Sequence, residues 1–312
     1  MDNEFLLMDR IQKIQQVIDK YGEDQFFLSF SGGADSTILH YMLDEALPGN
    51  RIPRVFINTG IEYMLIVKFV KELAEKDDRF ELLKPKTPIR QMLETEGYPF
   101  KSKDHSQRVD EYQSRGYQHT KTTYNYANRL EHYDGRYGCP QKLQYQFSPD
   151  FDLRISKKCC DRLKKDMGVE YLERTGKTWT ITGVMADEGG ARTSTHCIVF
   201  KKHGNKFNPL FPVTKEFTNW YREIRNIRLC DLYYPPYNLE RTGCVGCCYN
   251  VYLQRDLDMM AMLLPRERER AERIWAKPYA EMRRIGYRLR KNDGQMRLTD
   301  MFNLNEKENE NG

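Results

Sequence analysis

Phe26-Phe27-Leu28-Ser29-Phe30-Ser31-Gly32-Gly33-Ala34-Asp35-Ser36 is the stretch that decides the fold. Five mainly apolar, aromatic-rich residues read as a buried strand, and Ile38, Leu39 and Met42 behind them carry helical spacing. Two glycines at the junction let the backbone turn tightly with its N–H groups exposed, and the helix that follows points its positive dipole end into the turn. A strand, a glycine turn and a helix start in this order make a cradle for an anion. The Gly-Lys-Ser/Thr ending of the Walker loop is absent, which sets the motif apart from the P-loop NTPases.

Outward from this junction, strand-like runs recur at 55–58, 80–83 and 179–183, separated by helical patterns near 36–46 and 63–76. An amphipathic helix over 4–21 leads the chain. Strands alternating with helices predict an α/β fold, a parallel twisted sheet with helices on both faces. In such sheets ligands bind at the carboxyl ends of the strands. Three loops fall there: Ser31–Ser36, Asn58-Thr59-Gly60, and the stretch from Gly183 to Arg192.

The division expected is a nucleotide-binding domain over 1–250 with a polar, tyrosine-rich insertion or lid at 97–157. A basic helical extension over 251–302 and a disordered tail at 303–312 follow. The alternating arginines and glutamates after Pro265 read as a solvated helix with i,i+4 pairs. Composition is that of a globular enzyme, 39% hydrophobic and 30% charged with a net charge of +5. The charge suits a polyanionic ligand such as a nucleotide. No segment has the apolar length to span a bilayer, and the start shows no signal-peptide pattern, so a cytoplasmic protein without a membrane partner is expected.

Eight cysteines in a reduced compartment point to metal or sulfur chemistry rather than disulfides. Cys159-Cys160 and Cys244-x-x-Cys247 together offer four thiolates. Such a soft set selects structural zinc or an iron–sulfur cluster. Adjacent cysteines chelate one zinc awkwardly, so the doublet favours the bulkier [4Fe–4S] cluster and leaves zinc as the lesser alternative.

The Ser-Gly-Gly-x-Asp-Ser pattern resembles the PP-loop of adenine nucleotide alpha hydrolase-like enzymes. A cysteine doublet followed at a distance by Gly-Cys-x-x-Cys resembles the signature of adenylyl-sulfate reductases within the phosphoadenosine phosphosulfate (PAPS) reductase family. Asn58-Thr59-Gly60-Ile61-Glu62 is similar to that family's Asp-Thr-Gly loop, with Asn in place of Asp. Gly183 to Glu188 with Arg192 is similar to its second glycine-and-acidic loop. Asn208-Pro209-Leu210, Trp220, Tyr237 and Arg241-Thr242-Gly243-Cys244 resemble the run that ends at the CxxC.

The resemblance implies an adenine nucleotide (ATP, PAPS or adenylyl sulfate) with its phosphates on Ser31, Gly32, Gly33, Asp35 and Ser36. Asn58, Thr59, Gly60 and Gly183 would admit the adenine, and Glu62 and Glu188 would face the ribose or a magnesium ion. Arg192 would supply a bidentate cation for developing charge, and Lys84, Lys86, Lys101 or Lys103 would reach the terminal phosphate. Asp35 and Ser36 would also fix the loop and cap the helix. The implied cluster ligands are Cys159, Cys160, Cys244 and Cys247.

The family's late Glu-Cys-Gly-type tail is missing, since no cysteine follows Cys248. Cys248 is the better internal candidate for a catalytic thiol, alongside Asp35 and Arg192, with Cys197 next; Cys230 and Cys139 have no assignment. Three readings stay open: a reductase served by a thiol protein, an ATP-dependent sulfurtransferase that takes a sulfur donor and acts on nucleic acid, and a nucleotide- or redox-sensing module without turnover. A homo-oligomer is expected in each. Gln295-x-x-Leu298-x-x-Met301-Phe302 resembles a sliding-clamp-binding peptide, a pattern that chance also produces.

Overall fold

The computed structural model describes residues 2–116, 121–129, 138–188 and 196–291. The chain forms two compact units, one of residues 1–92 and 160–245, the other of 93–159 and 246–312.

The first unit opens with α1 (Asn3–Tyr21), capped where the Asp2 carboxylate accepts the Glu4 N–H at 3.2 Å. Its buried stripe is Leu7, Ile14, Val17 and Ile18, the helical repeat legible in the sequence. Then come β1 (Phe26–Phe30), α2 (Ala34–Ala46), β2 (Arg54–Ile57), α3 (Met64–Ala74) and β3 (Phe80–Leu83). Helix α4 (Ile89–Glu96) carries the chain across to the second unit.

The second unit holds α5 (Lys103–Arg115), α6 (Lys121–Asn128) and a 3-10 segment at Gln141–Phe147. A helical turn, α7 (Lys158–Cys160), leads into a π-helical turn at Asp161–Lys165 and then α8 (Asp166–Thr175) of the first unit. That unit is completed by β4 (Trp179–Ile181), β5 (Ile198–Val199), β6 (Asn205–Phe207) and α9 (Lys215–Ile224). Helices α10 (Leu253–Leu263), α11 (Pro265–Ile274) and α12 (Ala276–Ile285) return to the second unit. The segment expected as an insertion, 97–157, and the basic extension thus share one compact unit.

The six strands run in the order β3-β2-β1-β4-β6-β5, and every pairing is parallel except β5 with β6. Central β1 pairs Leu28 with Arg54 on one side and Phe26 with Trp179 on the other. Phe26, Phe27, Leu28 and Phe30 are all buried, as a strand covered on both faces requires. The strand order reverses between β1 and β4, the switch point where open α/β sheets form a crevice.

Around the start of β2 a polar network replaces apolar packing. The Arg54 side chain is fully buried and donates to Asp44 at 2.7 Å, to Asn50 at 2.7 Å and to His40 Nδ1 at 3.1 Å. Arg79 meets the same Asp44 carboxylate at 2.7 and 3.0 Å. A guanidinium with nearly every donor engaged can be buried where a bare charge could not.

In the second unit the core is aromatic: Tyr98, Phe100, Tyr126, Phe147, Trp275 and Tyr279 are buried. The described part of the basic extension holds α10, α11 and α12; the last two meet at buried Trp275, with Pro265 at the first turn of α11. Arg268 and Arg283 pair with Glu272, and Arg270 with Glu267, so much of its positive charge is met locally. No described helix is long and apolar enough to cross a membrane.

Candidate functional site

The crevice of the first unit is built on the junction between β1 and α2. Gly32 sits at φ +71°, and a Cβ there would lie 2.8 Å from Ile66 Cγ2 on α3, so both its conformation and its surroundings call for glycine. Gly33 is the N-cap of α2. Ser36 Oγ accepts the Ser31 N–H at 3.2 Å and donates to the Gly33 carbonyl at 3.0 Å, while Ser31 Oγ accepts the Gly33 N–H at 3.3 Å. Ser36 therefore braces the turn from within, while the cap expected from Asp35 or Ser36 is instead Gly33, without a side-chain bond.

Above this turn lies a cavity of about 390 Å3 lined by Ser31, Gly33, Asp35 and Gly183, and on its far wall by Lys215, Tyr233 and Arg241. Gly183, in the loop after β4, approaches so closely that a Cβ would lie 3.1 Å from the carbonyl carbon and oxygen of Asp35. The two loops at the sheet's switch point are thus in contact only because residue 183 has no side chain.

Two wall residues escaped the sequence reading. Lys215 Nζ lies 3.8 Å from Asp35 Oδ1, and its backbone N–H donates to Asp187 at 3.2 Å, which ties the start of α9 to the loop after β4. Tyr233 Oη accepts the N–H of Ala34 at 2.9 Å and lies 2.7 Å from Thr242 Oγ1. Burial pushes the Tyr233 phenol up, so it stays protonated. Thr214 capping a helix was the available signal for Lys215, whereas Tyr233 sits in a 3-10 turn that no periodicity marks.

The other predicted residues distribute as follows. Asn58 accepts the Gly60 N–H at 3.1 Å, an Asx turn that closes the loop after β2, with Gly60 at φ +83°. Glu62 turns onto its own loop, accepting the Thr59 N–H and hydroxyl at 2.8 Å, and lies 3.4 Å from Lys164 Nζ. Its carboxylate acts here as a brace for the loop. Glu188 ends a 3-10 turn at Ala186–Glu188. Arg192 lies outside the described residues, as do the tail at 303–312 and the clamp-like peptide. Of the four candidate lysines, Lys86 is exposed and paired with Glu170 at 2.7 Å.

Cys160 and Cys244 share one neighbourhood in the first unit, both within electrostatic reach of Lys164. Burial pulls the Lys164 ammonium down, but Cys244, Glu62 and Cys160 outweigh it and hold the group above the usual lysine range. The Cys244 thiol is pushed up, mainly by burial and against the pull of Lys164. Cys159 and Cys247 belong to the second unit, as does Cys248, whose thiol is raised well above its ordinary value by burial. Among the described residues no group of three or more metal-ligating side chains is gathered.

A parallel sheet that hands its central strand to a braced glycine turn, with a cavity at the switch point, defines an α/β protein of the PP-loop, Rossmann-like nucleotide class. The chain belongs to the phosphoadenosine phosphosulfate reductase domain family, whose model matches residues 25–250. No curated protein matches it. Solved structures similar to it include a phosphoadenylyl-sulfate reductase from Candida auris, at 11% identity and a TM-score of 0.41, covering 75% of this chain and 93% of that one. An FMN adenylyltransferase from Candida glabrata matches at 11% identity and a TM-score of 0.44, covering 77% and 62%. An NH3-dependent NAD synthetase from Campylobacter jejuni matches at 12% and 0.39, covering 90% and 96%.

Proposed function

We propose that the protein is an enzyme that seats the phosphates of an adenine nucleotide or sulfonucleotide on Ser31–Ser36 and carries out sulfur chemistry on or with it. The observation that carries this is the cradle itself. A helix N-terminus, Gly33 and Gly183, and the braced pair Ser31 and Ser36 line a cavity of about 390 Å3 at the carboxyl ends of parallel strands. Backbone amides there bind oxyanions without desolvating a side chain, and the helix dipole adds its positive end. Lys215 and Arg241 supply cations on the same wall, and Asp35 orients the first of them. Family membership supports the nucleotide reading.

A [4Fe–4S] centre on Cys159, Cys160, Cys244 and Cys247 rests on the spacing of those cysteines in the sequence. The described side chains do not gather into a donor set of three or more, so no step is derived through it. Iron and sulfide quantified in protein purified without oxygen test this part alone; a full complement of each supports the cluster, and a colourless, zinc-loaded sample removes it.

The nucleotide reading is tested by titrating ATP, PAPS and adenylyl sulfate into the full chain and into Gly33→Val. At Gly33 a Cβ would stand 3.2 Å from Ser31 Oγ and Thr242 Oγ1 and 3.3 Å from Tyr233 Oη, filling the cradle without a forbidden backbone angle. Binding by the native chain and its loss in the variant are expected; equal binding by both refutes the assignment. Products then divide the chemistry. Sulfite release in the presence of a dithiol protein marks a reductase, and pyrophosphate or AMP release with thiolated nucleic acid marks a sulfurtransferase.

A further inference from the structure

Phe200-Lys201-Lys202-His203-Gly204-Asn205-Lys206 carries the chain from β5 into β6 at one edge of the first unit's sheet. Three lysines and a histidine fall within these seven residues, and an aromatic ring leads them. The antiparallel pair is short, but its turn is fixed. Gly204 sits at φ +110°, and a Cβ there would collide with Leu172 Cδ1 on α8. Asn205 Oδ1 accepts the Lys201 N–H at 3.3 Å, and the Asn205 N–H donates to the Thr178 carbonyl at 2.8 Å. The turn is thus closed on itself and seated on the chain that enters β4.

Beside it lies a cavity of about 420 Å3 lined by Lys177, Lys201, Lys202 and His203, with Glu173 as the one carboxylate among its lining residues. Lys177 Nζ donates to the Asp24 carbonyl at 2.7 Å, which holds the ammonium in place without neutralising it. Lys206 is half-buried. Burial lowers its ammonium, and Lys201 and Lys165 push it further the same way. Lys165 is paired with Asp161. Among the described residues none of Lys201, Lys202 and Lys206 forms an ion pair with a carboxylate. Crowded like charges repel in the free protein, and a polyanion laid along them relieves that repulsion.

Phe200 supplies the second half of the surface. It is 66% exposed, although its ring meets Trp179 edge-on with centroids 5.5 Å apart. Trp179 is buried and packs in turn on Tyr21 and Phe26, at 4.5 and 5.5 Å. A ring anchored along one edge and open elsewhere keeps its orientation while leaving a face for a planar partner. Lysines in series beside such a ring match the two demands of an unpaired polynucleotide, phosphates along the backbone and bases free to stack.

We propose that the β5–β6 turn is a docking surface for single-stranded nucleic acid, with phosphates on Lys177, Lys201 and Lys202 and a base on Phe200. It stands apart from the nucleotide cradle of the same unit. Asn205 pairs with Trp179 at the start of β4, so the turn projects from the amino ends of these strands, whereas Gly183 and the cradle lie beyond the carboxyl ends.

Fluorescence anisotropy of a labelled dodecathymidylate strand titrated with the full-length protein tests it. The native chain is expected to bind. Lys201→Gln with Lys202→Gln should weaken binding about ten-fold or more and flatten the slope of log affinity against log salt by about 1 to 2. Phe200→Ala should weaken it about five-fold or more with that slope unchanged, because stacking releases no counterion. All three side chains are exposed, so these variants keep the fold. Lys71→Gln with Lys76→Gln removes the same charge from exposed positions at and just after the end of α3, and should change affinity less than about two-fold. No binding by the native chain, an equal loss in the α3 variant, or native affinity in Phe200→Ala overturns the proposal. Binding to phosphatidylserine vesicles in place of the oligonucleotide also overturns it, and assigns the surface to a membrane. The readout is binding alone, so each result holds whether or not ATP, PAPS or adenylyl sulfate occupies the cradle.

Discussion

Tyr233 holds one of the four amides that a helix start leaves without a partner, by accepting the Ala34 N–H. Tyr233→Phe removes that acceptor inside a buried wall, and an orphaned buried donor costs about 1–2 kcal/mol. The urea midpoint of the variant should fall accordingly; an unchanged midpoint would mean that water reaches Ala34 freely. Gly183→Ala acts on the same helix from the other side. Its methyl would press on the Asp35 peptide at 3.1 Å, so α2 must shift and nucleotide affinity should drop about ten-fold, a loss of about 1.4 kcal/mol, in an equilibrium titration. The glycines and Ser36 were legible as a cradle because turn chemistry is local. The wall formed by Lys215 and Tyr233 was not, since 180 residues of chain separate Lys215 from Asp35 and 199 separate Tyr233 from Ala34.

Among elements, β1, β2 and β4 could be read from short apolar runs, because strands covered on both faces have little room for polar residues, and β3, an edge strand with Leu82 exposed, could be read from its three apolar residues alone. β5 and β6, with two and three residues that are half-exposed apart from buried Phe207, give no such run. Helix α5 was hidden for another reason: His105 and Ser106 lie buried beside Val109, so its inward face is polar in the sequence and satisfied only by Tyr126, Gln146 and the backbone of Phe100. The join of α2 to β2 rests on Asp44, which serves Arg54, Arg79 and Asn50 together. Asp44→Ala leaves a fully buried guanidinium without its carboxylate. A loss of about 3 kcal/mol is expected in chemical denaturation, the scale of breaking a buried pair from one side; a loss below about 1 kcal/mol would show that His40, Asn50 and the backbone carry Arg54 unaided.

For the molecule as a whole, both units bury an imidazole that must stay neutral. Burial, then Arg54, brings His40 down to about 4, and burial brings His105 down to about 3. In each case the unfolded chain binds the proton more readily, so stability rises with pH through the window from the folded value to the ordinary 6.5. Acidification from 6.5 towards 4 should therefore cost up to about 1.4 kcal/mol per pH unit for each histidine. Denaturation midpoints from pH 7.5 to 4.5 should decline, and the decline should halve in His40→Asn; a flat profile would mean both rings are hydrated. The division into units was the least legible property, since 97–157 and the stretch after 246 meet through contacts such as Phe100 with Tyr287 and Tyr145 with Glu281 rather than through periodic aliphatics.

The π-helical turn at Asp161–Lys165 carries one residue more than a regular helix would need to cover the same rise. Each residue of an α-helix turns the next by about 100°. Excising a single residue within the turn would thus let it relax into ordinary winding while re-phasing every side chain behind it. Lineages of this chain could gain or shed that surplus in one codon, and with it the ammonium that stands between Glu62 and Cys244.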